Sequence, residues 1–242
     1  MINENLQWMK TPFAHRGLFD NVNVPENSIL AFEKAVERGF GMEFDVQMTK
    51  DQVLVVFHDD NMKRMTGLDK DIRETTWEEI KHLTLLDTDQ KIPTLAEVLK
   101  VCKSQPLVVE IKTHKNVGVA EQLIYQQIKD YPGKLCIESF NPFIVRWYFK
   151  NAPEIIRGQL SCDHRESPLP AWQKFALKNL IFCKWNKSQF IAYDVNSFQQ
   201  CKALEKYRKK MPIIFWTIKT QQQLENNFDF CDGYIFDSFV PQ

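Results

Sequence analysis

The sequence predicts an α/β fold, a TIM-type (β/α)8 barrel. Nine short segments rich in apolar and β-branched residues have the length and flanking turn residues of strands. They start near residues 13, 43, 53, 107, 135, 156, 190, 213 and 233. Helical patterns or long loops separate all but one neighbouring pair. This alternation in a chain of 242 residues is typical of such a barrel.

The exception is the connection at Lys50-Asp51, which is too short for the crossover that parallel strands need. We therefore interpret Val53–Phe57 as the return strand of a hairpin, and eight β/α units remain. No linker rich in proline or glycine divides the chain. Residues 1–242 are accordingly predicted to form a single barrel domain.

Composition excludes several classes of protein. The chain has 31 acidic and 31 basic residues, and this zero net charge argues against nucleic acid as the main partner. Its six cysteines show no CxxC spacing, which favours reduced thiols. The first residues lack the apolar core of a signal peptide, and no apolar run reaches the length of about 18 needed for a membrane span. We expect a cytoplasmic protein without a membrane span.

The first strand is brief and leads into His15-Arg16-Gly17. A histidine in this position is more often structural, but Arg16 adds a permanent cation suited to phosphate or carboxylate. Pro25–Ser28 then opens a helix that Gly39 should terminate. Asn27 or Ser28 is its N-cap, and for Asn27 we slightly favour capping over a ligand role.

Residues 41–60 hold the most informative cluster. Glu43 and Asp45 are two apart, so on a strand they share a face. With a two-residue loop at Lys50-Asp51, Asp45 faces Val56 and Glu43 faces His58, which joins two carboxylates and an imidazole. Such a group suits a divalent metal with a proton-transfer residue beside it. The alternative is the solvated face of an amphipathic strand, and a slip of one residue would move His58 to the other face.

Further along, Thr76–Glu79 and Thr94–Glu97 have the pattern of capping boxes that start two helices. Leu107–Lys112 is a strand on which Glu110 and Lys112 share a face, either as a site or as a salt-bridged edge. The remaining segments alternate regularly to the end of the chain. They are a helix at 117–129, a strand at 135–138, a helix from Asn141-Pro142, a strand at 156–160, a helix at 170–178, a strand at 190–194, a helix at 197–209, a strand at 212–218, a short helix capped by Thr220 and a strand at 233–236.

Polar and aromatic residues converge on the predicted strand ends. In a parallel barrel the site lies at the carboxyl ends of the strands. The residues that fall at or near such ends are His15, Glu43, Asp45, Glu110, Lys112 and Trp216. This convergence favours a site over a chance pattern.

Several motifs, in order along nearly the whole chain, resemble the glycerophosphodiester phosphodiesterase family. The N-terminal block is the most specific part, because its motifs recur at the family spacing. The motifs are HRG at 15–17, PENS at 25–28, EFDVQMTKD at 43–51, VVFHD at 55–59, VEIK at 109–112, ESF at 138–140 and FWT at 215–217.

The resemblance implies a catalytic TIM barrel with a small insertion after the strand 2 hairpin, which residues 61–95 fit. It implies hydrolysis of glycerophosphodiesters, small-molecule substrates, to an alcohol and glycerol 3-phosphate. Glu43, Asp45 and Glu110 would hold a divalent metal, Ca²⁺ or Mg²⁺. The remaining assignments are His15 and His58 as the acid–base pair, Arg16 and Lys112 as phosphate contacts, and Trp216 as a wall of the substrate pocket.

Two departures and several alternatives remain open. The last strand reads YIFDSF, which differs from the family pattern, and the loop Cys162–Arg165 is either substrate-facing or, in our preferred interpretation, a surface loop. One alternative is another metal-dependent TIM-barrel hydrolase or isomerase, which would need different metal ligands. A second is a degenerate family member that only binds phosphodiesters, which would have inactive site residues. Lysolipids are alternative substrates, and a homo-oligomer is neither required nor excluded.

Overall fold

The computed structural model describes residues 4–113 and 116–241. In these residues the chain forms nine strands, and each lies where the sequence predicts one. The strands are β1 (Phe13–His15), β2 (Gly41–Met48), β3 (Leu54–Val56), β4 (Leu107–Ile111), β5 (Leu135–Ser139), β6 (Ile156–Ser161), β7 (Phe190–Asp194), β8 (Ile213–Ile218) and β9 (Gly233–Phe236).

Helices occupy the connections. Three short 3₁₀ segments lie at Glu4–Lys10, Ile72–Glu74 and Phe198–Gln200. The α-helices are α1 (Ile29–Glu37), α2 (Lys63–Thr66), α3 (Trp77–Ile80), α4 (Leu95–Cys102), α5 (Val119–Ile128), α6 (Pro142–Asn151), α7 (Ala171–Lys178), α8 (Cys183–Asn186), α9 (Lys202–Tyr207) and α10 (Gln221–Asn227).

The strands are hydrogen-bonded in the order β1-β9-β8-β7-β6-β5-β4-β2-β3, and β1 also pairs with β2. Eight strands therefore close into the predicted parallel barrel with helices between them, and β3 is added antiparallel to β2. The chain forms two compact units, one of Phe13–Leu135 and the other of the residues up to Pro12 with those from Cys136 onward. That residues 1–242 act as one catalytic domain, with an insertion at 61–95, stays a prediction.

In the unit Phe13–Leu135, the pairing of β2 with its parallel neighbours sets the geometry of the site. His15 on β1 lies beside Glu43. Asp45 lies beside Glu110 on β4. Every residue of β2 except Met48 is buried, so its alternate carboxylates face the interior of the fold and not solvent.

The predicted register of the β2–β3 hairpin is wrong by one residue. Val46, not Asp45, lies opposite Val56, and Thr49 pairs with Val53. The loop therefore has three residues, Lys50-Asp51-Gln52, and its last residue has a φ of 66°. A loop of three residues ending in the left-handed region is a common hairpin type, and Gln52 takes the place that glycine often holds. Glu43 consequently does not lie opposite His58.

The segment 61–95 has a hydrophobic cluster of its own, built on the outward side of the hairpin. Val55 and Phe57 are buried against it. Both predicted capping boxes, at Thr76 and Thr94, are present and start α3 and α4. The other buried members of the cluster are Met62, Met65, Ile72, Ile80, Leu85 and Ile92.

In the other unit, β6 to β9 pair in parallel. Asn141 caps α6 with Pro142 at the first helical position, as predicted. The helix expected at 197–209 is instead a 3₁₀ turn followed by α9, with buried Cys201 between them. A Cβ at Gly233 would meet the Met9 carbonyl oxygen at 2.0 Å, so the N-terminal segment can pass close to β9 only at a glycine.

Candidate active site

Three buried carboxylates form the centre of the candidate site. Glu43, Asp45 and Glu110 each offer an oxygen, and these oxygens lie within 4.8 Å of one another. All three residues are at least nine-tenths buried. Carboxylate oxygens at this spacing are the ligands that hard divalent cations prefer, so the set fits Ca²⁺ or Mg²⁺.

Two cations flank the carboxylates. Lys112 Nζ lies 3.1 Å from Asp45 Oδ1 and 3.7 Å from Glu110 Oε1. Arg16 Nε lies 3.6 Å from Asp45 Oδ2, and Arg16 Nη1 donates to Glu26 Oε1 at 2.7 Å. Because both cations are largely buried, each can also meet an anionic ligand with little competition from water.

The electrostatics of the cluster differ between its members. Burial would raise the pKa of Asp45, but Lys112, His58 and Arg16 outweigh it and hold that pKa well below its usual value. Burial and the neighbouring Asp45 raise the pKa of Glu110. Burial lowers the pKa of Lys112, yet Asp45 and Glu110 raise it above its ordinary value, so Lys112 is charged. A divalent cation among the carboxylates would offset their mutual repulsion.

Asn27 contributes an amide to this centre. Its Nδ2 donates to Asp45 Oδ2 at 3.0 Å, and its φ is 57°, a conformation that asparagine tolerates well. Ser28, not Asn27, caps α1, because Ser28 Oγ accepts from Ala31 N at 3.2 Å. Asn27 Oδ1 is buried and has no hydrogen-bond partner among the described residues. An amide oxygen is a further ligand type that Ca²⁺ accepts.

The turn after β1 carries His15 and Arg16. His15 Nε2 lies 3.9 Å from Glu43 Oε2, and the Arg16 amide donates to the Glu43 carbonyl at 2.8 Å. Gly17 follows with a φ of 82°, and a Cβ there would come within 2.8 Å of Ala31. Glycine is therefore required for the chain to turn from β1 onto α1 while Arg16 faces the carboxylates.

His58 lies on the loop after β3 and not opposite Glu43, where it was predicted. The strand ends at Val56, and the loop after it carries His58, whose charge is among the causes that lower the pKa of Asp45. Gln47 fixes this loop, since its Nε2 donates to the carbonyl oxygens of Phe57, His58 and Asp59. His58 Nδ1 lies 2.7 Å from Asp59 Oδ1, which leaves Nε2 as the ring atom for other contacts.

The segment 61–95 joins this network through Arg64. Arg64 Nε and Nη2 donate to the two oxygens of Asp59 at 2.6 and 3.0 Å. Its Nη1 and Nη2 donate to Glu26 at 3.1 and 2.7 Å. Because Glu26 also binds Arg16, a continuous chain of ionic hydrogen bonds links the His58 pair to the cation beside Asp45.

Trp216 belongs to the other unit. It lies near the carboxyl end of β8, with its ring 5.6 Å from that of Phe140. Phe140 also contacts His164, from the loop Cys162–Arg165. In that loop His164 is buried and its Nε2 lies 3.3 Å from Ser161 Oγ, whereas Arg165 is exposed, so the interpretation as a surface loop fits only part of it.

Sequence reasoning missed Glu26, Gln47, Asp59 and Arg64. Gln47 could have been found, because it shares the face of Glu43 and Asp45 at the next alternate position. Asp59 and Glu26 lie next to residues that were singled out. Arg64 lies in the segment 61–95 and has no local sequence signal, since only the folded chain brings it to Asp59 and Glu26.

The fold and the site together define a parallel α/β-barrel enzyme with an acidic centre flanked by cations and imidazoles. The profile of the Glycerophosphoryl diester phosphodiesterase family matches residues 15–237. The chain therefore belongs to this family of phosphoric diester hydrolases.

Individual relatives agree with the family assignment. A glycerophosphodiester phosphodiesterase of Caldanaerobacter subterraneus subsp. tengcongensis is 39% identical over 166 residues, which cover 63% of this chain and 67% of that protein. A human lysophospholipase D is 36% identical over 139 residues, covering 52% of this chain and 43% of that protein.

Solved structures show the same fold. A glycerophosphodiester phosphodiesterase from Thermotoga maritima has a TM-score of 0.75 at 28% identity, covering 95% of each chain. A phosphodiesterase from Oleispira antarctica, solved with its product sn-glycerol-3-phosphate, has a TM-score of 0.80 at 22% identity, covering 97% of this chain and 95% of that one. Among the described residues, no helix combines the length and apolarity that would let it cross a membrane.

Proposed function

We propose that the protein hydrolyses glycerophosphodiesters to an alcohol and glycerol 3-phosphate, with a divalent cation held by Glu43, Asp45 and Glu110. One observation carries the proposal, namely the three buried carboxylate oxygens within 4.8 Å of one another. Arg16 and Lys112 lie against the same carboxylates. The product bound in the Oleispira relative is the glycerol phosphate that this reaction would release.

Charge supports a phosphodiester as the ligand. The three carboxylates exceed the two flanking cations by one negative charge, and a bound divalent ion would reverse that sign. The bound ion would supply Lewis-acid stabilisation of the phosphoryl oxygens. Arg16 offers further donors, and Lys112 a point charge, for the negative charge that builds on these oxygens during cleavage.

The two histidines supply the proton transfers. One imidazole removes the proton from the attacking hydroxyl, and the other gives a proton to the oxygen of the departing alcohol as its bond to phosphorus breaks. Asp59 holds Nδ1 of His58 and so fixes which ring nitrogen can face the reaction. His15 Nε2 lies 3.9 Å from Glu43 Oε2, beside the carboxylate centre.

The direct test is alcohol release from a panel of glycerophosphodiesters, with and without a chelator. We expect turnover that chelation abolishes and that added Mg²⁺ or Ca²⁺ restores, and the restoration series identifies the effective ion. Full activity after exhaustive chelation would contradict the metal-dependent mechanism. A lysolipid arm decides the second candidate, lysophospholipase D action, which the human relative favours.

A further inference from the structure

Helices α6, α7 and α8, with the residues that join α7 to α8, expose an unusual number of large apolar side chains. Trp172 and Phe175 are one turn apart on α7, so they share a face. The rings of Phe143 on α6 and Trp185 on α8 are 5.3 Å apart. The exposed fractions are 58% for Phe143, 65% for Trp172, 63% for Phe175, 54% for Ile181 and 42% for Trp185. We call these five residues the aromatic surface.

Their exposure needs an explanation. Five of the nine large apolar side chains that are exposed among the described residues belong to this set. Exposed apolar groups gathered in one region, unlike scattered ones, mark an interaction site. Tryptophan and phenylalanine have large apolar rings, and tryptophan is enriched where one end of the ring meets water and the other a lipid.

The segments that carry the aromatic surface also have an excess of positive charge. Residues 167–193 include Lys174, Lys178, Lys184 and Lys187 but no aspartate or glutamate, and α6 adds Arg146 and Lys150 without an acidic residue. Their hydrogen bonds go to neutral groups: Lys174 donates to the Arg165 carbonyl, and Lys178 to the Gln200 amide. Because the whole chain has zero net charge, this excess is local.

We propose that the aromatic surface docks on an anionic phospholipid membrane. The rings of Trp172, Phe175 and Trp185 enter the boundary between headgroups and acyl chains, while lysines such as Lys184 and Lys187 pair with lipid phosphates. Lysine stems suit this arrangement, since they lie along apolar surface with the ammonium group outside. No step of the proposed reaction uses this surface.

Charge selects the membrane over a second copy of the chain. A symmetric dimer would place the same patch of each copy against the other. The lysines of one copy would then face those of its partner, and like charges across an interface are unfavourable. An anionic bilayer instead offers opposite charge and an apolar interior to the same residues.

The test is co-sedimentation of the full chain with vesicles of phosphatidylcholine alone and of phosphatidylcholine mixed with phosphatidylglycerol. We expect binding to the mixed vesicles only, weakening as salt is raised. Phe175→Glu combined with Trp172→Glu should lower binding at least tenfold, and Lys184→Gln with Lys187→Gln severalfold. All four side chains are exposed, so circular dichroism should show an unchanged fold.

Matched controls come from the same unit. Phe228 is 64% exposed but lies outside the aromatic surface, and Lys202 and Lys206 are exposed on α9. Phe228→Glu, and Lys202→Gln with Lys206→Gln, should leave binding unchanged. Glu43→Gln should also bind vesicles normally, which separates docking from lipid capture in the candidate active site. Turnover of a water-soluble glycerophosphodiester should be the same in all the surface variants.

Three results would overturn the proposal. The first is absence of binding to the mixed vesicles at low salt. The second is an equal loss of binding in the Phe228 control. The third is a stable dimer, measured by analytical ultracentrifugation, that the Trp172 and Phe175 substitutions dissociate, because the surface would then be an interface between two copies.

Discussion

At the scale of single residues, the burial of the three carboxylates is what indicates a bound ion. Glu43 and Asp45 lie on a strand whose residues are buried up to Gln47, and Glu110 is also buried. Charges in such positions are costly unless paired or bound to an ion. Arg16 and Lys112 pair with part of the charge, and the remainder is what the proposed cation would neutralise.

Glu43→Gln tests the carboxylate directly, because it removes a charge and keeps the size of the side chain. We expect activity to fall by roughly 100-fold or more, the scale of losing one preorganised electrostatic contact. The melting temperature should change little, and both are measured on the same preparation. Glu37→Gln, at the exposed end of α1, is the control. Full activity of the Glu43 variant at saturating Mg²⁺ and Ca²⁺ would exclude Glu43 as a ligand.

Asn27→Gly tests the amide. Glycine adopts the observed φ of 57° readily, so the substitution removes the side chain without straining the turn. If the amide supports the ion through Asp45 or its own oxygen, the apparent Kd for Mg²⁺ or Ca²⁺ should rise about 10-fold or more. Isothermal titration with each ion measures this. An unchanged affinity together with lost turnover would limit Asn27 to substrate contacts.

At the scale of elements, the segment 61–95 does more than pack against β3. Arg64 lies on α2 and donates hydrogen bonds to Asp59 and Glu26, so the segment 61–95 contacts the partners of both His58 and Arg16. Burial raises the pKa of Asp59, but hydrogen bonds from His58 and Arg64 outweigh it and hold that pKa well below its usual value. The same kind of contact lowers the pKa of Glu26 to about 2.

Arg64→Met should therefore lower both activity and stability. Without Arg64 the Asp59 carboxylate is less fixed, so we expect kcat to fall about 10-fold with a smaller change in KM. Losing the charge-assisted hydrogen bonds of Arg64 should lower the free energy of unfolding by about 1–2 kcal/mol at neutral pH. The effect is this small because Arg64 is about half exposed. Lys63→Met is the matched control, since Lys63 is on the same helix but pairs with exposed Asp69. Equal effects of both substitutions would contradict a positioning role.

Acid should reduce the stability difference between the Arg64 variant and the unaltered protein. A carboxyl group whose pKa is lower in the folded state stabilises that state fully above its unfolded pKa of about 4. This stabilisation is lost as the pH falls toward the pKa of the folded state. The unfolding free energies of the two proteins should therefore converge between about pH 4 and pH 2. Urea titrations across this range measure the convergence. A constant difference would mean that Arg64 acts mainly through packing.

At the scale of the whole molecule, the fold follows from the order of its elements. The eight parallel strands were predictable because each has a distinct apolar run and because helix signals, such as Asn141-Pro142 and the capping boxes, fall between them. The hairpin register was not, since Lys50-Asp51-Gln52 lacks the glycine that usually marks its loop type. Arg64 and Glu26 escaped prediction for a related reason, because their contacts arise between segments distant in sequence.

The attacking group in the proposed reaction is expected to be a hydroxyl of the substrate itself. A hydroxyl tethered next to phosphorus has a large effective concentration, worth about 7 kcal/mol or more of barrier in favourable cases. Phosphodiesters without a vicinal hydroxyl should therefore react far more slowly than glycerophosphoethanolamine, and phosphorus NMR should detect a transient cyclic phosphate. Equal rates for a 2-deoxy analogue, with no cyclic species, would indicate direct attack by water.

A covalent route needs its own control. Ser161 Oγ lies 3.3 Å from His164 Nε2, but it donates to the Leu177 carbonyl at 2.9 Å. Ser161→Ala should consequently keep turnover within a few-fold, since this serine is engaged with the backbone. Loss of activity with normal folding would favour a serine nucleophile.

The buried cysteine thiols can report local unfolding of the protein. Burial raises the pKa of Cys102 on α4 and of Cys183 on α8 to about 12, so neither ionises readily in the folded state. Since the thiolate is the reactive form, a labelling reagent gains access only when the surrounding segment opens. Modification rates followed by mass spectrometry would thus rank the local opening free energies of separate segments, without adding any probe to the chain.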